Sequence, residues 1–247
     1  IAIYAKVLGY MLGDGSLSKS GKKMRACAYG KLEDLQGMRE EIGRLGFHAH
    51  VFERERNHEI ETQYGRKSFT GKCAELHVYS QEFAGKLVSL GMPVGKKTSA
   101  DFRVPEWIVD SPKWIKRLFL AGFFGAELSS PATHSRTGFY PPIVSQNKNA
   151  ADVGGGRLFL IGLMSLLEEF GVRVTKIAQR EEYRNKEGKT VRLRLEISAE
   201  EKNLLKLYRQ VGFEYSAKKR MMGEVASLYI AKKMELGERR AKIAARV

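Results

Sequence analysis

The chain has 247 residues, of which 43% are hydrophobic, and it carries 43 lysines and arginines against 28 aspartates and glutamates, a formal net charge of +15. This length and apolar content exclude a disordered tail and suffice for one large domain or two small ones. The positive charge predicts a polyanionic partner, either nucleic acid or an anionic membrane surface.

The sequence was also searched for membrane-spanning and signal segments and for cysteine patterns. The sequence has no uninterrupted apolar stretch of membrane-spanning length and no signal-peptide succession at its N-terminus. We therefore expect no membrane partner and a cytoplasmic location, with an organelle left open. Cys27 and Cys73 are too few for a disulfide framework and lack the C-x-x-C spacing of a zinc site, so we expect half-buried thiols in strands.

An apolar segment with two glycines and a terminal carboxylate occupies residues 7–15, with the sequence VLGYMLGDG. Gly9 and Gly13 are four residues apart, so on a helix they share one face and leave it as bare backbone that another helix approaches closely. Asp14 then lies where this contact ends. Taken alone, the segment is also typical of a core helix with an acidic residue in its last turn.

A second copy of this design occupies residues 118–127, with the sequence LFLAGFFGAE. Gly122 and Ala126 form the small pair, and Glu127 is the terminal acid, at the same distance from its glycine as Asp14 is from Gly9. Two such helices packed on each other bring both acids to one end. This arrangement is typical of a metal site.

The order of elements after each motif is a strand, a helix, a two-stranded hairpin and a second helix. Apolar residues at helical spacing followed by glycine predict the helices, and alternation predicts the strands. In the first half the predicted ranges are 24–29, about 32–45, 48 to about 56, 73–79 and 81–90, with a polar hairpin tip at 57–67. In the second half they are 142–146, 158–170, 172–178, 190–197 and 200–211, after a turn-rich segment at 129–140 and with a hairpin turn at 185–188.

Matching landmarks in the two halves indicate an internal duplication. Gly9 and Gly122 differ by 113 positions, and the pairs Lys96-Lys97 and Lys218-Lys219 differ by 122. The offsets are similar but unequal, as insertions in loops would make them. We therefore predict a first half at residues 1–111, a second half at 112–220 and a basic helical extension at 221–247.

The two motifs resemble those of the LAGLIDADG homing endonucleases of the single-chain, two-motif type. The nine-residue pattern maps onto residues 7–15, with its acid at Asp14, and again onto residues 120–128, with its acid at Glu127. Gly13 replaces the motif alanine, Glu127 replaces aspartate, and Leu128 stands where the last glycine belongs. The resemblance covers about residues 2–219 and implies an α+β fold of two pseudo-symmetric αββαββα halves, each with a four-stranded antiparallel sheet, forming a monomeric saddle over double-stranded DNA.

The two acids are the predicted metal ligands. Carboxylates at helix C-termini face the negative end of the helix dipole and also each other, and a divalent cation relieves both conflicts. Incomplete oxygen coordination suits Mg²⁺, with Mn²⁺ as a substitute, and such a metal supports phosphodiester hydrolysis on each DNA strand. The resemblance also places polar residues where the first strand of each half enters its helix. The further catalytic candidates are Lys31, Gln146 and Lys148, although a lysine at a helix start is also commonly just solvated.

Basic residues on or near the predicted strands are the DNA-binding candidates. They are Arg25, Arg54, Arg56, Lys67, Arg173, Lys176, Arg180, Arg192 and Arg194. Arg192 and Arg194 are two apart on one strand and so point to the same side. Alternating arginines are also found on any solvated strand face, so the candidates depend on their number together with the net charge. His48, His50, His58 and His77 are expected to be surface or DNA-facing residues and not metal ligands.

The predicted function is that of a site-specific, Mg²⁺-dependent double-stranded DNA endonuclease, a homing enzyme of an intron or intein that is nucleoid-associated through its DNA. Because the two halves differ in sequence, one chain is expected to recognise a long asymmetric target. The alternative is an RNA maturase or a non-cleaving nucleic-acid-binding regulator on the same scaffold.

Overall fold

The computed structural model describes residues 1–62, 65–185 and 188–245 and shows two mixed α/β units arranged around a pair of helices. The elements of the first half are α1 (Ala2–Asp14), β1 (Gly15–Ser20), β2 (Lys23–Gly30), α2 (Leu32–Arg44), β3 (His50–Thr62), β4 (Gly65–Val78), α3 (Gln81–Ser89) and the short α4 (Glu106–Val109).

Among the described residues, the second half follows the same order with one strand fewer. Its elements are α5 (Lys113–Glu127), β5 (Ile143–Asn149), α6 (Val153–Glu169), β6 (Val174–Asn185), β7 (Gly188–Ile197) and α7 (Glu201–Lys206), which continues as one π-helical turn (Leu207–Val211), and then α8 (Ala217–Ala244). Residues 246–247 of the predicted extension lie outside the described residues.

The motif helices α1 and α5 pack directly on each other, as their glycines predict. A Cβ atom added at Gly9 would lie 2.2 Å from the carbonyl oxygen of Phe119, and one at Gly122 would lie 2.2 Å from that of Lys6. Both distances are too short for any side chain, so the two backbones touch at these positions. The close approach runs to the helix ends, where a Cβ at Gly13 would meet Ala126 and Glu127.

Each half contributes one antiparallel sheet. In the described residues the first sheet has the strand order β1-β2-β4-β3 and the second β5-β7-β6. The prediction of four strands in the second half is therefore wrong. In the segment that follows α5, Leu128 bridges Val144 and Thr133 bridges Phe139, but both are isolated bridges and neither extends into a strand of the sheet. The proline at position 131 lies between them and cannot donate to a ladder.

The β3–β4 hairpin is much longer than predicted. The two strands pair from His50 opposite His77 to Thr62 opposite Gly65, so the polar residues assigned to a hairpin tip are paired strands. Strand β2 reaches β4 only over residues 74–78, and the rest of the hairpin is a two-stranded ribbon. Residues 63–64 of the predicted hairpin tip and residues 186–187 of the predicted turn at 185–188 lie outside the described residues.

Helix α6 is the most apolar helix of the second half and, with the turn before it (Ala150–Glu169), is long and apolar enough to cross a membrane by length and composition. Its apolar side chains Phe159, Leu160 and Leu163 are nevertheless fully buried, and the helix packs against all three strands of the second sheet. The apolar content is thus that of a core helix. It begins at Val153, five residues before its predicted start.

The C-terminal helix α8 is continuous across the predicted boundary at residue 220. It buries a narrow face of small and apolar residues, Gly223, Ala226, Ser227 and Ile230. Val225, Leu228 and Tyr229, which indicated amphipathicity in the sequence, are exposed instead. Cys27 and Cys73 are unpaired thiols in β2 and β4, the first buried and the second half-buried.

Candidate functional site

Asp14 and Glu127 are the last residues of α1 and α5. The chain leaves both helices in extended backbone, with φ −129° and ψ 172° at Gly15 and φ −69° and ψ 137° at Leu128. A side chain at Gly15 would collide with Met11, whereas Leu128 is buried in the core of its own half. The departure from the motif at Leu128 therefore leaves the helix end that carries Glu127 intact.

The two acids are brought together in a partly desolvated environment. Burial, and secondarily the charge of Asp14, raise the pKa of Glu127 to about 7, against the opposing effect of two lysines. Burial also raises the pKa of Asp14, although its side chain keeps an exposed surface, and the same lysines oppose the shift. The ionised forms of both carboxylates are therefore incompletely stabilised, and an added cation would stabilise them.

The two opposing lysines are Lys97 and Lys219, and each binds one helix end. The Nζ atom of Lys97 donates to the carbonyl oxygens of Met11 (3.3 Å), Leu12 (3.0 Å) and Gly13 at the end of α1. These carbonyls have no partner within the helix, and a cation there also meets the negative end of the helix dipole. Burial lowers the pKa of Lys97 to about 8, although both acids counteract this.

Lys219 repeats the arrangement at α5. Its Nζ atom donates to the carbonyl oxygens of Phe124 (3.4 Å), Gly125 (2.9 Å) and Ala126 (2.8 Å), and burial lowers its pKa. The sequence prediction did not assign Lys97 and Lys219 to the site, although it used the repeated lysine pairs as evidence for duplication. The repeated lysine pair could have indicated the site, because lysines at the same position in two copies of a duplicated unit occupy equivalent places in the fold.

Of the three further catalytic candidates, Gln146 shares a cavity with one of the two acids. It lines a cavity of about 310 Å³ together with Gly13, Lys97, Glu127 and Arg192. Its Oε1 atom is buried without a hydrogen-bond partner in the part of the chain that is described. Such an orphaned oxygen beside a carboxylate is suited to a cation or to an ordered water molecule.

The other two candidates lie in contrasting places. Lys31 is exposed immediately before α2. Lys148 is fully buried, so the alternative interpretation as a solvated lysine is wrong. Its Nζ atom donates to the carbonyl oxygens of Lys97 and Ala100, both at 2.7 Å, and lies 4.2 Å from the centre of the Phe102 ring.

The predicted DNA-binding residues of the first half lie in β2, β3 and β4. Arg25 and Arg54 are exposed on the face of the first sheet that points away from the core, and Arg54 lies 3.7 Å from Glu75. Arg56 and Lys67 belong to the β3–β4 ribbon, but their side chains lie outside the described residues. His77, predicted to be a surface or DNA-facing residue, is on the same face but is buried, and its ring bonds Glu75 and Tyr79, both at 3.0 Å.

In the second half the basic residues cluster on the outer face of β6 and β7. Arg180 lies directly opposite Arg192 in the ladder, and Lys176 lies opposite Glu196. The Nε atom of Arg194 is buried without a partner among the described residues, as is the Oε1 atom of Gln146. Arg173 lies immediately before β6, and its guanidinium donates to Glu200 at 2.8 Å and to Ser198 at 3.1 Å.

Comparison with known proteins identifies the fold. No family model matches the chain. A solved structure of the homing endonuclease I-WcaI bound to its DNA recognition sequence matches with a TM-score of 0.51, at 13% identity, over 85% of this chain and 81% of that chain. The predicted α+β fold of the LAGLIDADG type is thereby confirmed.

Curated relatives match at higher identity over a small part of their own length. The tRNA-splicing ligase RtcB of Pyrococcus furiosus is 38% identical over 92% of this chain, which is 22% of that protein. From Methanocaldococcus jannaschii, the RNA polymerase subunit Rpo1N is 28% identical over 91% of this chain, and the replication factor C small subunit is 28% identical over 90%. The chain spans 17% and 12% of those two proteins.

Proposed function

We propose that this chain is a metal-dependent, site-specific double-stranded DNA endonuclease that cleaves one phosphodiester bond on each strand of a long asymmetric target. The observation that carries the proposal is the meeting of Asp14 and Glu127 at one end of two helices in backbone contact, each helix end bound by a lysine. Two carboxylates and two ammonium groups at a pseudo-symmetric position suit a reaction that is performed twice, once on each strand.

The residues present fit a divalent cation. Burial raises the pKa of both carboxylates, and the charge of Asp14 raises that of Glu127 further. The orphaned Gln146 oxygen lines the adjoining cavity. No group of three or more histidine, cysteine or acidic side chains is placed to bind a metal within the described ranges, so substrate phosphate and water would supply the remaining ligands. Asp14 and Glu127 would hold Mg²⁺, or Mn²⁺ in its place, and the metal would provide an activated water and charge neutralisation.

The residues of the chain have separate tasks in this reaction. Asp14 and Glu127 supply the negative charge that would bind the metal. Lys97 and Lys219 keep positive charge beside the phosphate, where negative charge develops in the reaction. The basic faces of the two sheets bind the DNA backbone, and their arginines suit base edges in the major groove. Since the two sheets differ in strand number and in side chains, the two ends of the target are recognised separately.

The comparisons support an activity that belongs to this segment alone. The segment matches a ligase, a polymerase subunit and a replication factor, whose names share no activity, and it accounts for 12–22% of their lengths. A module inserted into unrelated host proteins gives this pattern, as expected of an intein-borne or intron-borne homing element. The ligase activity named for RtcB therefore does not need to be carried by this chain. The structural neighbour I-WcaI is a homing endonuclease bound to its DNA recognition sequence, which agrees with DNA as the partner.

A nicking or non-cleaving scaffold is the second candidate. It is favoured by Glu127, which has a pKa of about 7 and so is partly protonated at neutral pH without metal. A chain of this kind would bind DNA, or RNA as a maturase does, without completing both cuts.

The proposal is tested with purified protein and DNA in which the coding sequence of an RtcB-type relative runs uninterrupted across the position of the matched segment. With Mg²⁺ we expect cleavage of both strands, and with Ca²⁺ binding without cleavage. Asp14→Asn is the matched control, because it keeps the shape of the side chain and removes its charge. Binding without any Mg²⁺-dependent nick would refute the endonuclease, and cleavage of a single strand would favour the nicking candidate.

A further inference from the structure

Lys97 and Lys219 both lie in segments that are anchored by the opposite half of the molecule. Lys97 lies between α3 and α4, near the end of the first half, and Lys219 lies in the first turn of α8, at the end of the second half. We propose that each half positions the helix-binding lysine of the other half, with Lys148 and Asp34 as the positioning residues. The effect on DNA cleavage rests on the proposed function, whereas the positioning itself does not.

The anchor on Lys97 comes from β5 of the second half. The Nζ atom of Lys148 donates to the main-chain oxygen of Lys97 itself and to that of Ala100, both at 2.7 Å. The next residue, Asn149, donates its backbone N–H to the oxygen of Thr98 at 2.9 Å. Three hydrogen bonds therefore hold residues 97–100 to the end of β5.

Lys148 is itself held in one conformation. The side chain is fully buried, its ammonium lies over the Phe102 ring at 4.2 Å, and its stem packs against Gly156 in α6. A Cβ atom at Gly156 would lie 2.7 Å from the Cγ atom of Lys148, so the glycine is needed to admit the stem. A buried ammonium is costly unless its hydrogen bonds are satisfied, and carbonyls of the first half satisfy them here.

The anchor on Lys219 comes from α2 of the first half. A carboxylate oxygen of Asp34 accepts the backbone N–H of Ala217, the first residue of α8, at 2.7 Å. Two residues earlier the hydroxyl of Tyr215 donates to Glu41, which also binds Lys6 of α1. Tyr215 has a φ of 52°, which is unfavourable for a tyrosine and is maintained here by these contacts.

The two anchors cross between the halves. Lys148 belongs to the half of Glu127 but acts on the lysine that binds the helix of Asp14. Asp34 belongs to the half of Asp14 but acts on the lysine that binds the helix of Glu127. Loss of one anchor is therefore expected to disturb one acid's helix end and leave the other in place.

The experiment measures the acetylation rates of Lys97 and Lys219 by peptide mass spectrometry in the full chain, without metal or DNA. In the native protein both are expected to react slowly, because each Nζ atom is partly buried and bonded to three carbonyls. Lys148→Met keeps most of the buried volume and removes the ammonium. We expect it to accelerate labelling of Lys97 by about tenfold, the scale of a lost buried hydrogen bond, and to leave Lys219 unchanged.

Asp34→Ala is the reciprocal variant, and it is expected to accelerate Lys219 and leave Lys97 unchanged. Gly156→Ala serves as a second test of the first anchor if Lys148→Met does not fold, since it displaces the stem of Lys148 and keeps the ammonium. An unchanged Lys97 rate in both Lys148→Met and Gly156→Ala would overturn the proposal. Equal acceleration of both lysines in every folded variant would also overturn it, because that result indicates general loosening.

The effect on catalysis is measured as the cleavage rate of each DNA strand, on a target whose two strands carry different labels. Lys148→Met is expected to slow cleavage of one strand and Asp34→Ala that of the other, each by about tenfold relative to the remaining strand. If the native protein cleaves neither strand, the proposed function fails while the labelling rates still decide the positioning. If both variants slow both strands equally, the crossed arrangement is refuted.

Discussion

The backbone contact between α1 and α5 leads to a sharp prediction for the substitution Gly122→Ala. The added methyl group would lie 2.2 Å from the carbonyl oxygen of Lys6, about 1 Å inside an ordinary contact, and backbone atoms on both sides have little freedom to yield. Overpacking of this kind costs about 1–3 kcal/mol and more when backbone must move, whereas alanine gains about 1 kcal/mol over glycine in a helix. Because the backbone must move here, the cost lies at or above the upper end of that range, and we expect a net loss of at least about 2 kcal/mol in the free energy of unfolding.

The matched control is Gly37→Ala in α2. Gly37 is also inside a helix, but it is exposed and a Cβ atom there meets nothing within 4 Å. Only the gain in helix propensity remains, so this variant is expected to be more stable by about 0.5–1 kcal/mol. The pair separates packing from propensity because the chemical change is the same.

Urea unfolding followed by circular dichroism measures both variants, with the unfolding slope checked for constancy. The close helix contact would be refuted if Gly122→Ala were as stable as the parent chain, or if Gly37→Ala lost as much stability as Gly122→Ala. In the first case the helices would be separated by more than the structure gives.

Three further predictions address the site and its surface. In metal-free protein the pKa of Glu127 is about 7 against an ordinary 4.5, so its protonated form stabilises the fold below pH 4.5 and this contribution is lost as the pH rises through 7. The free energy of unfolding should therefore fall by up to about 3 kcal/mol between pH 4.5 and 7. Urea unfolding at several pH values measures this fall, and Glu127→Gln should remove it. Asp14→Asn should reduce the cleavage rate at least about a hundredfold. DNA binding, measured by fluorescence anisotropy in Ca²⁺, should remain. An unaltered cleavage rate would show that the metal is bound elsewhere. Arg180→Ala, on the outer face of β6, should lower the slope of log affinity against log salt by about 0.9 if it binds one phosphate, and an unchanged slope would remove it from the interface.

The sequence was sufficient to predict the helix pair and, apart from a fourth strand expected in the second half, the order of elements in each half. Gly9 and Gly122 are informative because only close backbone contact requires glycine at these places, and apolar spacing is strong in α2 and α6. The site acids follow directly, since they end the same helices.

The parts that sequence reasoning missed depend on contacts between distant residues. The β3–β4 ribbon has alternating glutamate and arginine, which is as polar as a loop, and only strand pairing makes it regular. The segment from 92 to 105 has no periodicity, so nothing local indicates that Lys97 turns toward the end of α1. Lys148 is identifiable as a buried lysine only once residues 97–100 supply the carbonyls that satisfy it.

The bond between Asp34 and Ala217, which joins residues 183 positions apart, has a consequence for the order of folding. Contacts of this span close late, because the loss of chain entropy precedes the gain from the contact. During synthesis, α1 and α2 are made long before α8. One face of α1 stays exposed until α5 has been synthesised and packs against it. The last segment to dock brings Lys219 to the carboxyl end of α5, and the charges around the two acids are therefore balanced only when the chain is nearly complete.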